Sequence, residues 1–172
     1  MLERIKNMPL EGAIFAFTRI ALGLLWLENA GWKSPASDFG NGSGEGLYKY
    51  TQFGSTKPVL GIWKALVDNV ILPNFTFFGW VTLITEASIA AFLIFGLATR
   101  LFALVSAGMT VTIAMTTLNA PNEWPWSYYL MFLVSIMVFA TCAGRYFGLD
   151  GVLRPRWEKQ KGRLSKLLVG AS

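Results

Sequence analysis

Four apolar runs of about twenty residues, near positions 11–31, 75–97, 101–118 and 126–147, dominate the sequence. A helix rises about 1.5 Å per residue, so each run is close to the length that crosses a hydrocarbon core of roughly 30 Å. The composition agrees, with 53% hydrophobic and 15% charged residues in 172, which is wrong for a soluble domain and right for one compact membrane unit. The expected fold is all-α: a single integral membrane domain of four helices. The first run is too long for a signal peptide, contains Arg19 and lacks a small-residue cleavage site, so it is read as a retained helix.

The cations give the bundle a direction. Arg4 and Lys6 precede the first run, Arg100 lies between the second and third, and Arg145, Arg154, Arg156, Lys159, Lys161, Arg163 and Lys166 follow or close the fourth. The other two connections carry Lys33, Lys49, Lys57 and Lys64, partly balanced by Asp38, Glu45, Asp68 and Glu123. The positive-inside rule therefore places both termini in the cytoplasm. The basic tail, 148–172, mixes its cations with Trp157, Leu164, Leu167 and Leu168, as expected of a segment resting on anionic lipid. It is short and adjoins a span, so membrane lipid rather than nucleic acid is the expected partner.

The long outer connection, 32–73, begins with the Gly-rich stretch 40–46. This is read as a spacer, because no Gly-Lys-Ser/Thr follows it to make a phosphate loop. Further on, Val59, Leu60, Trp63, Leu66, Val67, Val70 and Ile71 recur at helical spacing, with Pro58 at the start and Pro73 at the stop. The expectation is an amphipathic helix over about 58–71, roughly 21 Å long and lying on the outer membrane face.

Charges inside a membrane are costly unless paired or hydrated, so they mark candidate sites. Arg19 lies about 12 Å in from one boundary and Glu86 about 16 Å in from the other, so the two are expected to form an ion pair near the bilayer centre. Arg19, Trp26 and Lys33 are spaced by seven, with Gly23 and Ala30 on the same stripe, which predicts an inward face. The third run is rich in hydroxyls: Ser106, Thr110, Thr112, Thr116 and Thr117. Most should bond to their own helix. Some, with Tyr128 or Tyr129, are candidates to hydrogen-bond a carbonyl-bearing ligand such as a quinone head stacked on aromatic rings. Trp26, Lys33, Thr110, Thr117 and Tyr128 are the candidate lining of that pocket.

The chain has no histidine and one cysteine, Cys142. The usual ligands of b-type haem, copper and catalytic zinc are therefore missing, as are an intrachain dithiol and a c-type haem motif. No metal site is expected, and no cofactor motif is recognisable.

Three segments carry a resemblance: Arg19-Ile20-Ala21-Leu22-Gly23-Leu24-Leu25-Trp26 leading to Gly31-Trp32-Lys33, then Glu86 followed by Phe95-Gly96-Leu97-Ala98-Thr99-Arg100, and Ala143-Gly144-Arg145-Tyr146-Phe147-Gly148-Leu149-Asp150. They resemble the DoxX/DoxD family of small bacterial and archaeal membrane proteins, and the long first loop is nearer the DoxD branch. The resemblance implies a four-helix fold in a prokaryotic plasma membrane, with Arg19, Glu86 and Arg145 at the motif positions. It also implies a subunit of a thiosulfate:quinone oxidoreductase that works with a partner and delivers electrons to quinone. Fold analogy does not establish that activity. A non-catalytic accessory or assembly subunit of a respiratory or photosynthetic complex stays open beside it, because no flavin, haem or iron-sulfur motif is present to carry electrons alone.

Overall fold

Helices account for nearly all of the regular structure in the computed structural model, which describes residues 10–160 and 162–172. Arg4, Lys6 and Lys161 lie outside the described residues. Helix α1 spans Leu10–Gly31, α2 Gly46–Thr56, α3 Gly61–Leu66, α4 Phe75–Phe95, α5 Thr99–Thr117, α6 Pro125–Ala140, α7 Leu149–Glu158 and α8 Arg163–Ala171. Helices α1, α4 and α5 are long and apolar enough to cross a membrane, and α6 is a shorter apolar helix. Together they form an all-α membrane bundle in which α1 pairs with α4, α4 with α5, and α5 with α6. Two ends are distinguished below. The loop end carries residues 32–74 and 118–124, and the tail end carries the turn 96–98 and everything after α6.

The apolar pattern of α1 explains its orientation. Ala16, Arg19, Leu22, Gly23, Trp26 and Ala30 are buried on one stripe that continues to Lys33, while Phe17 and Leu25 face outward. At Gly23 a Cβ would lie 2.8 Å from Ile94 Cγ1 and 3.0 Å from Ile94 N, so the missing side chain is what lets α1 and α4 touch. Leu22, Trp26, Ile89, Leu93, Ala103 and Val138 fill the centre.

Helix α4 stops at Gly96. Its Leu97 N–H donates to Phe92 O at 3.0 Å and its Gly96 N–H to Leu93 O at 3.3 Å, the pairing of a Schellman cap. Gly96 has φ +66, and a Cβ there would meet Arg19 Nη1 at 2.6 Å and Gly148 Cα at 2.7 Å. Gly96→Ala is expected to lower the unfolding free energy in detergent by about 2 kcal/mol or more, since the left-handed backbone alone costs an L-residue about 1–2 kcal/mol. An unchanged melting curve would contradict the cap.

Two expectations about element boundaries are corrected. The fourth apolar helix ends at Ala140 rather than near Phe147, because Cys142 adopts φ 50 and a short 3-10 turn, Ala143–Arg145, follows. The outer helix expected over 58–71 is not a separate segment stopped by Pro73. Helix α3 runs through a π turn, Val67–Ile71, and a 3-10 turn, Leu72–Asn74, into α4. Proline removes an N–H from the ladder; here Leu72 N–H reaches back to Val67 O, and Asn74 Nδ2 donates to Val70 O at 3.0 Å. The stretch read as a spacer is followed by a helix, α2, which packs against α5.

The loop is fastened to the start of α4. Phe39 is buried against Gly79, where a Cβ would lie 2.5–2.9 Å from its ring, and meets Trp80 edge-on at 5.5 Å. Thr76 Oγ1 donates to Asp38 Oδ2 at 2.9 Å, and Tyr48 packs edge-on against Phe75 at 4.9 Å. The first turns of α4 are thus covered by the loop and not by α1.

The tail forms two helices, with α8 folded against α7. Arg154 Nη1 donates to Val169 O at 2.8 Å and Ser172 O at 2.9 Å, and Arg145 Nη2 to Ser172 O at 3.3 Å. Cations at the last carbonyls of a helix satisfy groups that have no partner inside it.

Candidate functional site

Glu86 is fully buried on α4, and Lys33 follows the end of α1 on its buried stripe. Lys33 Nζ lies 2.5 Å from Glu86 Oε2, with both side chains almost completely removed from solvent. The same ammonium donates to Asn29 O at 2.6 Å and sits 4.4 Å from the centre of the Trp32 ring. Asn29 Nδ2 donates to Glu86 Oε1 at 3.0 Å, so each carboxylate oxygen has a donor. Burial pulls the Lys33 ammonium below its ordinary range, and the carboxylate beside it opposes that shift.

The expected Arg19–Glu86 pair is therefore not formed. Arg19 is buried at the tail end, where Nη1 donates to Leu93 O and to Ile94 O (2.9 Å) and Nη2 to Phe147 O (3.3 Å). Two of its three partners are carbonyls in the last turn of α4, which carries the negative end of the helix dipole. Glu86 is level with Asn29, ten residues or about 15 Å along α1 from Arg19. Two causes separate them. The first turns of α4 lie beneath the loop 32–74, so α4 is shifted about two turns toward the loop end relative to a count from Phe75. Helical side chains also lean toward the helix N-terminus, and in antiparallel α1 and α4 that sends Arg19 toward the tail end and Glu86 toward the loop end.

The Lys33–Glu86 pair forms one wall of a cavity of about 380 Å³ at the loop end of the bundle. Helix α5 contributes Thr110, Thr112, Thr116 and Thr117, and α6 contributes Tyr128 and Met131. The roof is α2, through Leu47, Tyr50 and Thr51. Gly54 of α2 lets that helix lie close, since a Cβ there would be 3.0 Å from Val67 Cγ2 and 3.4 Å from Thr116 Cγ2. The hydroxyls of Thr110, Thr112, Thr116 and Thr117 donate to carbonyls four residues back at 2.9–3.1 Å, as expected for threonines within a helix. Thr117 Oγ1 also lies 2.8 Å from Tyr128 Oη, and Tyr128 Oη donates to Glu123 Oε2 at 2.6 Å.

Of the residues expected to line a pocket, Lys33, Thr110, Thr117 and Tyr128 do so. Trp26 does not. It is fully buried one turn deeper, where Nε1 donates to Ser106 Oγ at 2.7 Å and Ser106 Oγ in turn lies 2.7 Å from Ser135 Oγ. Among the motif positions only Glu86 belongs to the cavity, while Arg19 and Arg145 act at the tail end. Sequence reasoning missed Asn29, Thr82, Glu123 and the whole α2 roof. Thr82 had a usable signal, since it lies one helical turn from Glu86 on the same face.

Among the described residues, no group of three or more His, Cys, Asp and Glu side chains is placed to hold a metal ion. The cavity is suited to an uncharged ligand with polar atoms. Apolar Leu47, Met109, Ile113 and Met131 supply contact area and Tyr128 and Lys33 supply polar atoms, while the Lys33 charge is offset by Glu86.

Neither a curated protein nor a solved structure matches the chain. A family model described as the TQO small subunit DoxD matches residues 15–171, from within α1 to the end of α8. With the match covering most of its length and an all-α membrane bundle as its fold, the chain belongs to the DoxD family.

Proposed function

We propose that this chain is the quinone-handling membrane subunit of a thiosulfate:quinone oxidoreductase, and that a partner subunit binds the sulfur substrate. The observation that supports the reading is the chemistry of the loop-end cavity. Its volume of about 380 Å³ lies within the roughly 300–1,000 Å³ of small-molecule sites. Its walls combine apolar side chains with the Tyr128 hydroxyl, which can turn from Glu123 to a quinone carbonyl. A thiosulfate dianion fits poorly, because the one lysine is already neutralised by Glu86 and a second carboxylate, Glu123, stands at the same cavity. That assigns the anion to the partner and the neutral lipophile to this chain. By the positive-inside rule the loop end faces away from the cytoplasm.

The test uses the full-length chain in nanodiscs, titrated with decylubiquinone and followed by quenching of tryptophan fluorescence, with Trp32 in the cavity wall as a reporter. Saturable quenching is expected. Thr82→Phe, which fills the cavity from α4 and leaves both charged residues in place, should weaken binding by about tenfold or more, equal to about 1.4 kcal/mol, and leave the melting temperature close to wild type. Quenching without saturation would sink the quinone reading and favour an accessory subunit that docks in a larger complex.

A further inference from the structure

Quinone reduction consumes protons as well as electrons, and the cavity has a hydrogen-bonded chain leading out of it. Glu123 lies in the 118–124 connection and is partly exposed at the rim. Its Oε2 accepts from Tyr128 Oη at 2.6 Å, and Tyr128 Oη lies 2.8 Å from Thr117 Oγ1. All three residues line the cavity. A structural tyrosine hydroxyl in a helix bundle needs only one partner. This one joins a carboxylate that solvent can reach to a hydroxyl whose residue is buried in the cavity wall, on the α5/α6 side and away from the Lys33–Glu86 pair of α1 and α4.

We propose that Glu123 and Tyr128 form the proton-delivery chain of the cavity, with Thr117 orienting the phenol, and that the protons come from the loop end. The inference rests on the quinone reading above. In the overall balance two thiosulfate anions on the partner join through a new S–S bond and release one electron each. The quinone accepts both electrons, and each of its carbonyl oxygens forms a new O–H bond. The sulfur coupling releases no proton, so both protons come from water. Water at the rim first protonates Glu123, which turns from acceptor to donor toward Tyr128 Oη, and Tyr128 then passes its own hydroxyl proton to a carbonyl oxygen and takes the Glu123 proton in its place. The chain works twice per quinol. Tyr128 touches the ligand and is the catalytic residue, while Glu123 acts through it.

The other ionisable side chains of the cavity are Lys33, Glu86 and Tyr50. Lys33 and Glu86 are closed on each other and Asn29, so neither opens a route to the rim. The relay is thereby distinguishable from the ion pair by mutation.

The experiment uses the native complex of this chain and its partner in nanodiscs, with decylubiquinone as acceptor and thiosulfate as donor. Tyr128→Phe and Glu123→Gln should each slow decylubiquinone reduction about 100-fold, the scale of a lost general acid, and in Glu123→Gln, which does not touch the ligand, decylubiquinone affinity should hold within about twofold. Glu123→Asp should recover most of the rate and show a larger rate loss in heavy water than wild type, which a merely structural role would not produce. If Tyr128→Phe proves unstable, Glu123→Gln in the rim connection carries the test alone. Wild-type rates in folded Glu123→Gln with quinone still bound would overturn the relay and leave the quinone reading standing. Failure of the wild type to bind decylubiquinone saturably would overturn both.

Discussion

Lys33→Met will destabilise the folded chain in detergent by about 3–5 kcal/mol, and Lys33→Met combined with Glu86→Gln will recover most of that loss. The reason is asymmetric. With both partners present, the ammonium 2.5 Å from Glu86 Oε2 offsets the desolvation of both groups. Without Lys33 the carboxylate keeps one donor, Asn29 Nδ2 at 3.0 Å, and must remain an uncompensated charge or take up a proton. Breaking one side of a buried pair costs about 3–5 kcal/mol, whereas removing both sides can be nearly neutral. The measurement is thermal unfolding of the three variants followed by intrinsic fluorescence. Additive losses in the double variant would show that the two groups are not coupled.

The double variant also separates scaffold from ligand handling. It should stay folded yet bind decylubiquinone more weakly, because a polar wall of the cavity has been made less polar. Full binding and turnover in a folded double variant would reduce the pair to a clamp between α1 and α4.

The inward face of α1 was legible because burial on a helix repeats with a fixed period, and Arg19, Gly23, Trp26, Ala30 and Lys33 all fell on it. The self-bonding of the α5 threonines was legible for a local reason: their acceptors lie on the same helix. The partner of Glu86 was not. Counting depth from Phe75 assumes that the apolar run begins at the membrane boundary, whereas Phe75 and Gly79 are covered by Tyr48 and Phe39 of the loop. Apolarity records burial without saying whether lipid or protein does the covering. Helix α2 escaped notice because Gly46 and Gly54 dilute its pattern. Gly54 is needed there for contact with Val67 and Thr116, a tertiary reason invisible to local propensity.

The lost Arg19–Glu86 pair gives the tail end its own meaning, and Asp150→Ala is expected to expose it. Asp150 is fully buried at the start of α7. Its Oδ1 accepts from Ala98 N–H at 2.8 Å and its Oδ2 from Thr99 N–H at 2.9 Å, so a carboxylate from α7 caps the first turn of α5. Its own N–H donates to Gly96 O at 2.8 Å. Gly144 must lack a side chain for this to assemble, since a Cβ there would collide with Thr99 Oγ1 and Asp150 Oδ2. Alanine at 150 leaves the buried Thr99 amide and the partly buried Ala98 amide without acceptors. Each amide left without an acceptor costs about 1–3 kcal/mol, so the loss should reach about 2–4 kcal/mol. Asp150→Asn, which keeps one acceptor oxygen, should fall between alanine and wild type. Unfolding in detergent checks the order, and an alanine variant that melts with wild type would contradict a stabilising role for the Asp150 cap. Decylubiquinone affinity of the fraction still folded should stay at the wild-type value, because the cavity lies at the other end of the bundle. The same pair of measurements on Glu86→Gln should move both quantities. That contrast is what distinguishes the motif charges that hold the helices, Arg19 and Arg145 with Asp150, from the one that faces the ligand.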